Sequence, residues 1–96
     1  MTKKRKEKKC DLYVVVETVL DDGTYSSHVV QDEHGDTVMF GFGSAMKLLE
    51  EEKKFYSKLK GASSSSKNRV DVDFESDIGE RMSMRASWNV VKVGEV

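Results

Sequence analysis

The most concentrated apolar stretch of the chain runs from Leu12 to Leu20, dense in valine with Glu17 as its one charge. Such a run predicts a strand buried on much of both faces, the central strand of a sheet. Asp21, Asp22 and Gly23 follow as a hairpin turn, because Asp-Gly accepts the positive φ angles that a tight turn demands. A second, more polar strand is expected from Thr24 to Gln31, with Ser26, Ser27 and His28 before Val29 and Val30, and one of its faces is expected to be wet. Glu33, His34 and Gly35 mark the next turn. Val38, Phe40 and Phe42 then alternate with Thr37, Met39 and Gly41, which predicts a third strand with an aromatic face. Gly41 and Gly43 mark a bulge or the close approach of another backbone, as a sharply bent sheet requires.

Ser44 stands at an N-cap position, and Ala45, Leu48, Leu49, Phe55, Tyr56 and Leu59 recur at helical spacing up to Gly61. The opposite face carries Glu50, Glu51, Lys53, Lys54 and Lys58, with Glu50 and Lys54 placed as an i,i+4 pair. This is the pattern of an amphipathic helix covering a sheet; a membrane-surface helix would present a richer basic face. The serine run in Ala62 to Lys67 predicts a mobile loop. Beyond it Val70, Val72 and Phe74 alternate with Arg69, Asp71, Asp73 and Glu75, a half-buried strand. A turn over Asp77 to Glu80 leads to a last strand in which Met82, Met84, Ala86, Trp88 and Val90 alternate with Arg81, Ser83, Arg85, Ser87 and Asn89. Past Val90 the apolar phase shifts by one residue, which predicts a bulge or bend. The fold class is therefore mainly β with one helix, an α+β domain of order β-β-β-α-β-β. A five-stranded barrel, a strongly bent sheet covered by one helix, and a β-grasp all fit this periodicity.

With 96 residues, 34% charged and 38% hydrophobic, the chain has the composition of one globular domain. The single Cys10 excludes an internal disulfide and a cysteine-paired zinc or redox motif. No apolar run approaches the ~20 residues that span a bilayer, and the charged start lacks the apolar core of a signal peptide. A cytoplasmic chain, nuclear in a host with a nucleus, is the expectation. Charge is divided unevenly. Lys3, Lys4, Arg5, Lys6, Lys8 and Lys9 against Glu7 give the first nine residues a net +5, whereas the remainder, with ten cations and sixteen anions, carries −6. A disordered basic arm over residues 1–10 is expected to lead into a single acidic domain over residues 11–96. Such an arm reaches phosphates and adds nucleic-acid affinity that falls with salt; it also serves as a solubilising tail or an import signal.

Candidate chemistry is sparse. His28 and His34 lie apart, Cys10 has no partner base, and no catalytic constellation, metal site or cofactor motif is expected. Asp71, Asp73, Glu75 and Asp77 form an acidic row that would gather a cation, meet a basic protein surface, or pair across the hairpin with Arg81 and Arg85. Phe40, Phe42, Phe74 and Trp88 fall on apolar phases and are expected in the core, leaving Tyr13 and Tyr25 to solvent.

The segment Gln31-Asp32-Glu33-His34-Gly35-Asp36-Thr37-Val38-Met39-Phe40-Gly41-Phe42, followed by an amphipathic helix, resembles the corresponding stretch of replication-protein-A-like and single-strand-binding domains. These are oligonucleotide/oligosaccharide-binding (OB-fold) barrels. The likeness covers residues 12–93 in the order of elements and this segment in motif. It implies a barrel with a groove across strands two and three for single-stranded DNA or RNA. The expected function is a small non-enzymatic binding module. Its nucleic-acid contacts would be Lys3, Lys4, Arg5, Lys6, Lys8 and Lys9 of the arm with Tyr13, Tyr25, Arg85 and Lys92 of the body. Some members of such families bind only proteins. The alternative is accordingly an adaptor or inhibitor of viral or phage type that sets Asp71, Asp73, Glu75 and Asp77 against a basic protein partner.

Overall fold

The computed structural model describes residues 10–96, the side chain of Ser65 excepted. The arm cations expected to meet nucleic acid, Lys3 to Lys9, lie outside the described residues. The elements are β1 (Asp11–Asp21), β2 (Thr24–Val29), β3 (Met39–Phe40), α1 (Phe42–Ser57), β4 (Ala62–Ser66), β5 (Arg69–Glu75) and β6 (Arg81–Glu95). All pair antiparallel in one sheet of order β2-β1-β6-β5-β4, with β3 against the start of β1. The sheet is bent and is not closed into a barrel. The two longest strands, β1 and β6, lie side by side at its centre, where the valine run of β1 finds neighbours on both edges.

Alternation decides which residues the helix covers. Val15 and Glu17 of β1, Val70 and Val72 of β5, and Ala86 and Trp88 of β6 share one face and are buried beneath Ala45, Leu48 and Leu49 of α1. Val30, just past β2, and Met39 complete this core. Burying each large aliphatic or aromatic side chain here contributes about 1.5–3 kcal/mol. The residues between them, including Val14, Val16, Thr18, Leu20, Arg85 and Asp71, point to the other face, where no element of the described residues is packed.

Several expectations need correction. The serine-rich segment is not a loop: Ala62–Ser66 forms β4, which makes six strands instead of five. On its inner side the backbone pairs with β5, Lys53 of the helix donates to the Ser66 carbonyl at 2.9 Å, and the exposed serines meet water at this edge. The third strand has only two residues and the opposite phase from that expected. Met39 is buried, while Phe40 and Phe42 are 63% and 55% exposed. Phe55 and Phe74 are exposed as well; only Trp88 of the four aromatics assigned to the core is fully inside. The helix begins at Phe42, capped by Gly41 at φ 93, so Ser44 sits within the first turn and makes no side-chain cap. The hairpin at Asp22-Gly23, with φ 50 and 79, is as expected. So is the slip beyond Val90: Leu12 pairs with Gly94 and Tyr13 with Lys92, leaving Val93 bulged. The domain's ends meet, Cys10 and Val96 exchanging backbone hydrogen bonds of 3.4 and 2.9 Å.

Candidate functional site

Two polar constellations stand out, one on each face. On the covered face, Glu17 is the only charged or polar residue buried to a few per cent among the described residues. It occupies the third inward position of the central strand, opposite Trp88 on β6 and His28 on β2. The indole Nε1 of Trp88 donates to one carboxylate oxygen at 2.9 Å, and the Tyr56 hydroxyl of α1 donates to the other at 2.9 Å. His28 Nε2 stands 3.6 Å from that second oxygen. A carboxylate taken out of water needs such partners, since an unpaired one costs several kcal/mol. Burial, together with the bond to Glu17, pushes the Tyr56 phenol up to about 12. Glu52, one turn before Tyr56, is also held above its ordinary value by burial, by its hydrogen bond with Glu17 and by the repulsion between the two carboxyls. One signal of this cluster is legible along the chain, a single charge inside an apolar strand, but the partners are 11 to 71 residues away and could not be named from it.

The open face carries the second constellation. Reading across the strands at one level, Tyr25 on β2 faces Leu20 on β1, Leu20 faces Arg85 on β6, Arg85 faces Asp71 on β5, and Asp71 faces Ser63 on β4. The Tyr25 ring is 71% exposed. Arg85 Nε donates to Asp71 Oδ1 at 2.9 Å, and Arg69 stands 3.9 Å from the same carboxylate. Glu75 faces Arg81 across β5 and β6. The acidic row is therefore interleaved with arginines, as cross-strand pairing of opposite charges favours. Asp73 faces Ser83, and Asp77 lies in the turn beyond β5. Where the β1–β2 turn approaches β6, Asp22, Asp73, Arg81 and Arg85 line an open depression of about 560 Å³. Toward the other end the same face becomes apolar, with Val14, Val16, Val29 and Val91.

Of the body residues expected at a nucleic-acid site, Tyr25 and Arg85 are thus brought together, and Tyr13 and Lys92 are not. Those two pair with each other at the far end of the helix-covered face. Tyr13 is half-buried instead of solvent-exposed, its ring 5.5 Å from that of Phe42 in edge contact. Lys92 bridges Glu95 at 3.3 Å and Asp11 at 3.4 Å, which hold its ammonium above the usual lysine value. Among the described residues, no three His, Cys, Asp or Glu side chains gather where they could hold a metal ion. No described helix is long and apolar enough to cross a membrane.

No family model, curated protein or solved structure matches this chain. The residues themselves carry the functional argument. A buried carboxylate with a donor on each oxygen locks β1, β6 and α1 together. The uncovered face carries an exposed ring, arginines and an apolar half.

Proposed function

We propose that this domain is a non-enzymatic binding module that uses the open face of its sheet, and that single-stranded nucleic acid is its ligand. The observation that carries the reading is the row Tyr25–Leu20–Arg85, which sets an exposed ring and a guanidinium on one uncovered surface. Bases stack on such rings with about 1–3 kcal/mol each, and arginine contributes phosphate contact and stacking. The basic sequence of residues 3–9 supports it with six cations that release counterions from a phosphate chain. A second reading, an adaptor for a basic protein, is favoured by the apolar half of the same face and by the pairing of Arg85 with Asp71, which neutralises part of its charge.

Fluorescence polarisation of labelled single- and double-stranded oligonucleotides across a salt series tests the choice. The full chain, the chain lacking residues 1–9 and the Tyr25→Ala variant are compared. Single-strand binding that survives removal of the arm and weakens about tenfold in Tyr25→Ala is the expected result. Binding that disappears with the arm, or no binding at all, rejects a nucleic-acid role for the sheet and leaves the protein-binding reading.

A further inference from the structure

The two edges of the sheet differ in how they end. At one, β4 is five residues long, its register with β5 slips between Ser64 and Ser66, and Lys60 and Lys67 flank it. Short length, a bulge and lysines are the usual devices that stop an edge from pairing with another chain. The other edge, at six residues hardly longer, has neither a bulge nor a lysine. The segment Thr24–Val29 reads TYSSHV, without proline, lysine, arginine or acid, and runs in unbroken register with β1 from Asp21↔Thr24 to Val16↔Val29. Every residue in it is exposed.

The hydrogen-bond phase of this edge follows from one contact. Val30 donates its backbone N–H to the Val15 carbonyl at 2.8 Å, so Val15 and Val30 are a hydrogen-bonded pair, and the bonding alternates along the ladder from there. Thr24, Ser26 and His28 turn their backbone groups toward β1. Tyr25, Ser27 and Val29 turn theirs outward, where no described residue meets them.

We propose that this edge pairs with the same edge of a second copy, β2 antiparallel to β2 about a two-fold axis through Ser27, to form a continuous sheet across a homodimer. The spacing of the outward residues is self-complementary. With Ser27 opposite its own counterpart, Tyr25 falls opposite Val29 of the other copy, and all three residues of each chain exchange backbone bonds, about six in total. That register sets an aromatic ring against a β-branched side chain, a favourable cross-strand pair, and Ser26 against His28. Within the paired strands no like charges meet, because Thr24–Val29 carries no fixed charge. A two-fold axis normal to the sheet leaves both helices on one side and merges the two open faces on the other. The inference rests on backbone geometry and stands whether or not the open face binds nucleic acid.

Sedimentation equilibrium of the full chain, without nucleic acid, over micromolar to millimolar concentration tests the dimer; amide hydrogen exchange by NMR tests its register. A species of twice the monomer mass is expected, with the amides of Tyr25, Ser27 and Val29 becoming protected as concentration rises. Ser27→Lys places two ammonium groups together on the axis and weakens association at least tenfold, while Ser63→Lys on the opposite edge leaves it unchanged. Thermal melting of each variant under monomeric conditions confirms that both remain folded. A monomer throughout the range, protection of those three amides that does not depend on concentration, or equal dissociation constants for wild type and Ser27→Lys would overturn the proposal.

Discussion

The two faces of the sheet are made from alternate residues of the same strands, yet they obey different rules. Under the helix, Val15, Val70, Ala86 and Trp88 are almost wholly excluded from water, and the one carboxylate admitted, Glu17, has a donor on each oxygen. One residue along each strand, on the open side, Val16 is half-buried and Arg85 and Asp71 form an ion pair that water reaches. Where water is absent, each polar atom must be matched by a protein partner or it is costly. Where water is present, a pair is optional and weak. One face is therefore fixed by folding, and the other stands open to solvent.

The sharpest break in that contrast comes from Trp88→Ala. It removes the largest buried side chain and the indole donor to Glu17 together, and a loss of about 3–5 kcal/mol in chemical denaturation is expected. A near-neutral result would mean the ring is outside and the covered face is wrongly assigned. Next come two carboxylates compared directly. Glu17→Ala strands the Trp88 and Tyr56 donors in a dry site and should cost on the order of 3 kcal/mol, whereas Asp71→Ala should cost about 0.5 kcal/mol and less in high salt. Equal penalties would erase the distinction between the faces. Adjacent valines sharpen it further: Val15→Ala is expected to lower stability by about 2 kcal/mol and Val16→Ala by about 0.5, measured by denaturant midpoints at constant slope.

The smallest effect is a pH dependence at the border of the covered face. Glu52 faces Glu17, His28 and Glu51, and burial with the neighbouring carboxylate raises its pKa in the folded state. A raised carboxyl favours folding when protonated, so its contribution is fully present below the ordinary glutamate range and is lost as pH rises through the folded value. Glu52→Gln should thus stabilise the domain at pH 7 by on the order of 0.5 kcal/mol, a gain of a few degrees in Tm that fades below about pH 4. A gain that stays constant across pH would assign the effect to helix propensity instead of to the carboxyl pair.

Much of the fold could be read along the chain because the information was local. The period-two runs of β5 and β6, the Asp22-Gly23 hairpin and the amphipathic helix each depend on neighbours within a few residues. The misread parts share another cause. Ser63 to Ser66 has a composition that suits a loop, and it becomes a strand because β5 offers an open ladder. Phe40 and Phe42 have an apolar phase on paper, but β1 grips the short third strand so that Met39 faces inward. The expected surface of Tyr13, Tyr25, Arg85 and Lys92 divides by parity and register: Arg85 and Lys92 are an odd number of residues apart on β6 and lie on opposite faces, and only the pairing of β1 with β2 and β6 shows that Tyr25 shares the face of Arg85 and Tyr13 that of Lys92.

What the sequence by itself determined is the set of pieces: a charged lead, a valine-rich central strand, one helix and a C-terminal hairpin, each specified by contacts short in sequence. The tertiary structure alone decided which pieces touch. It set Trp88 and Tyr56 upon Glu17, across 71 and 39 residues, and left the outer edge of β2 unpaired among the described residues. Partners so distant along the chain leave no periodic trace, because they are chosen by strand order and register, which emerge only when the whole core closes.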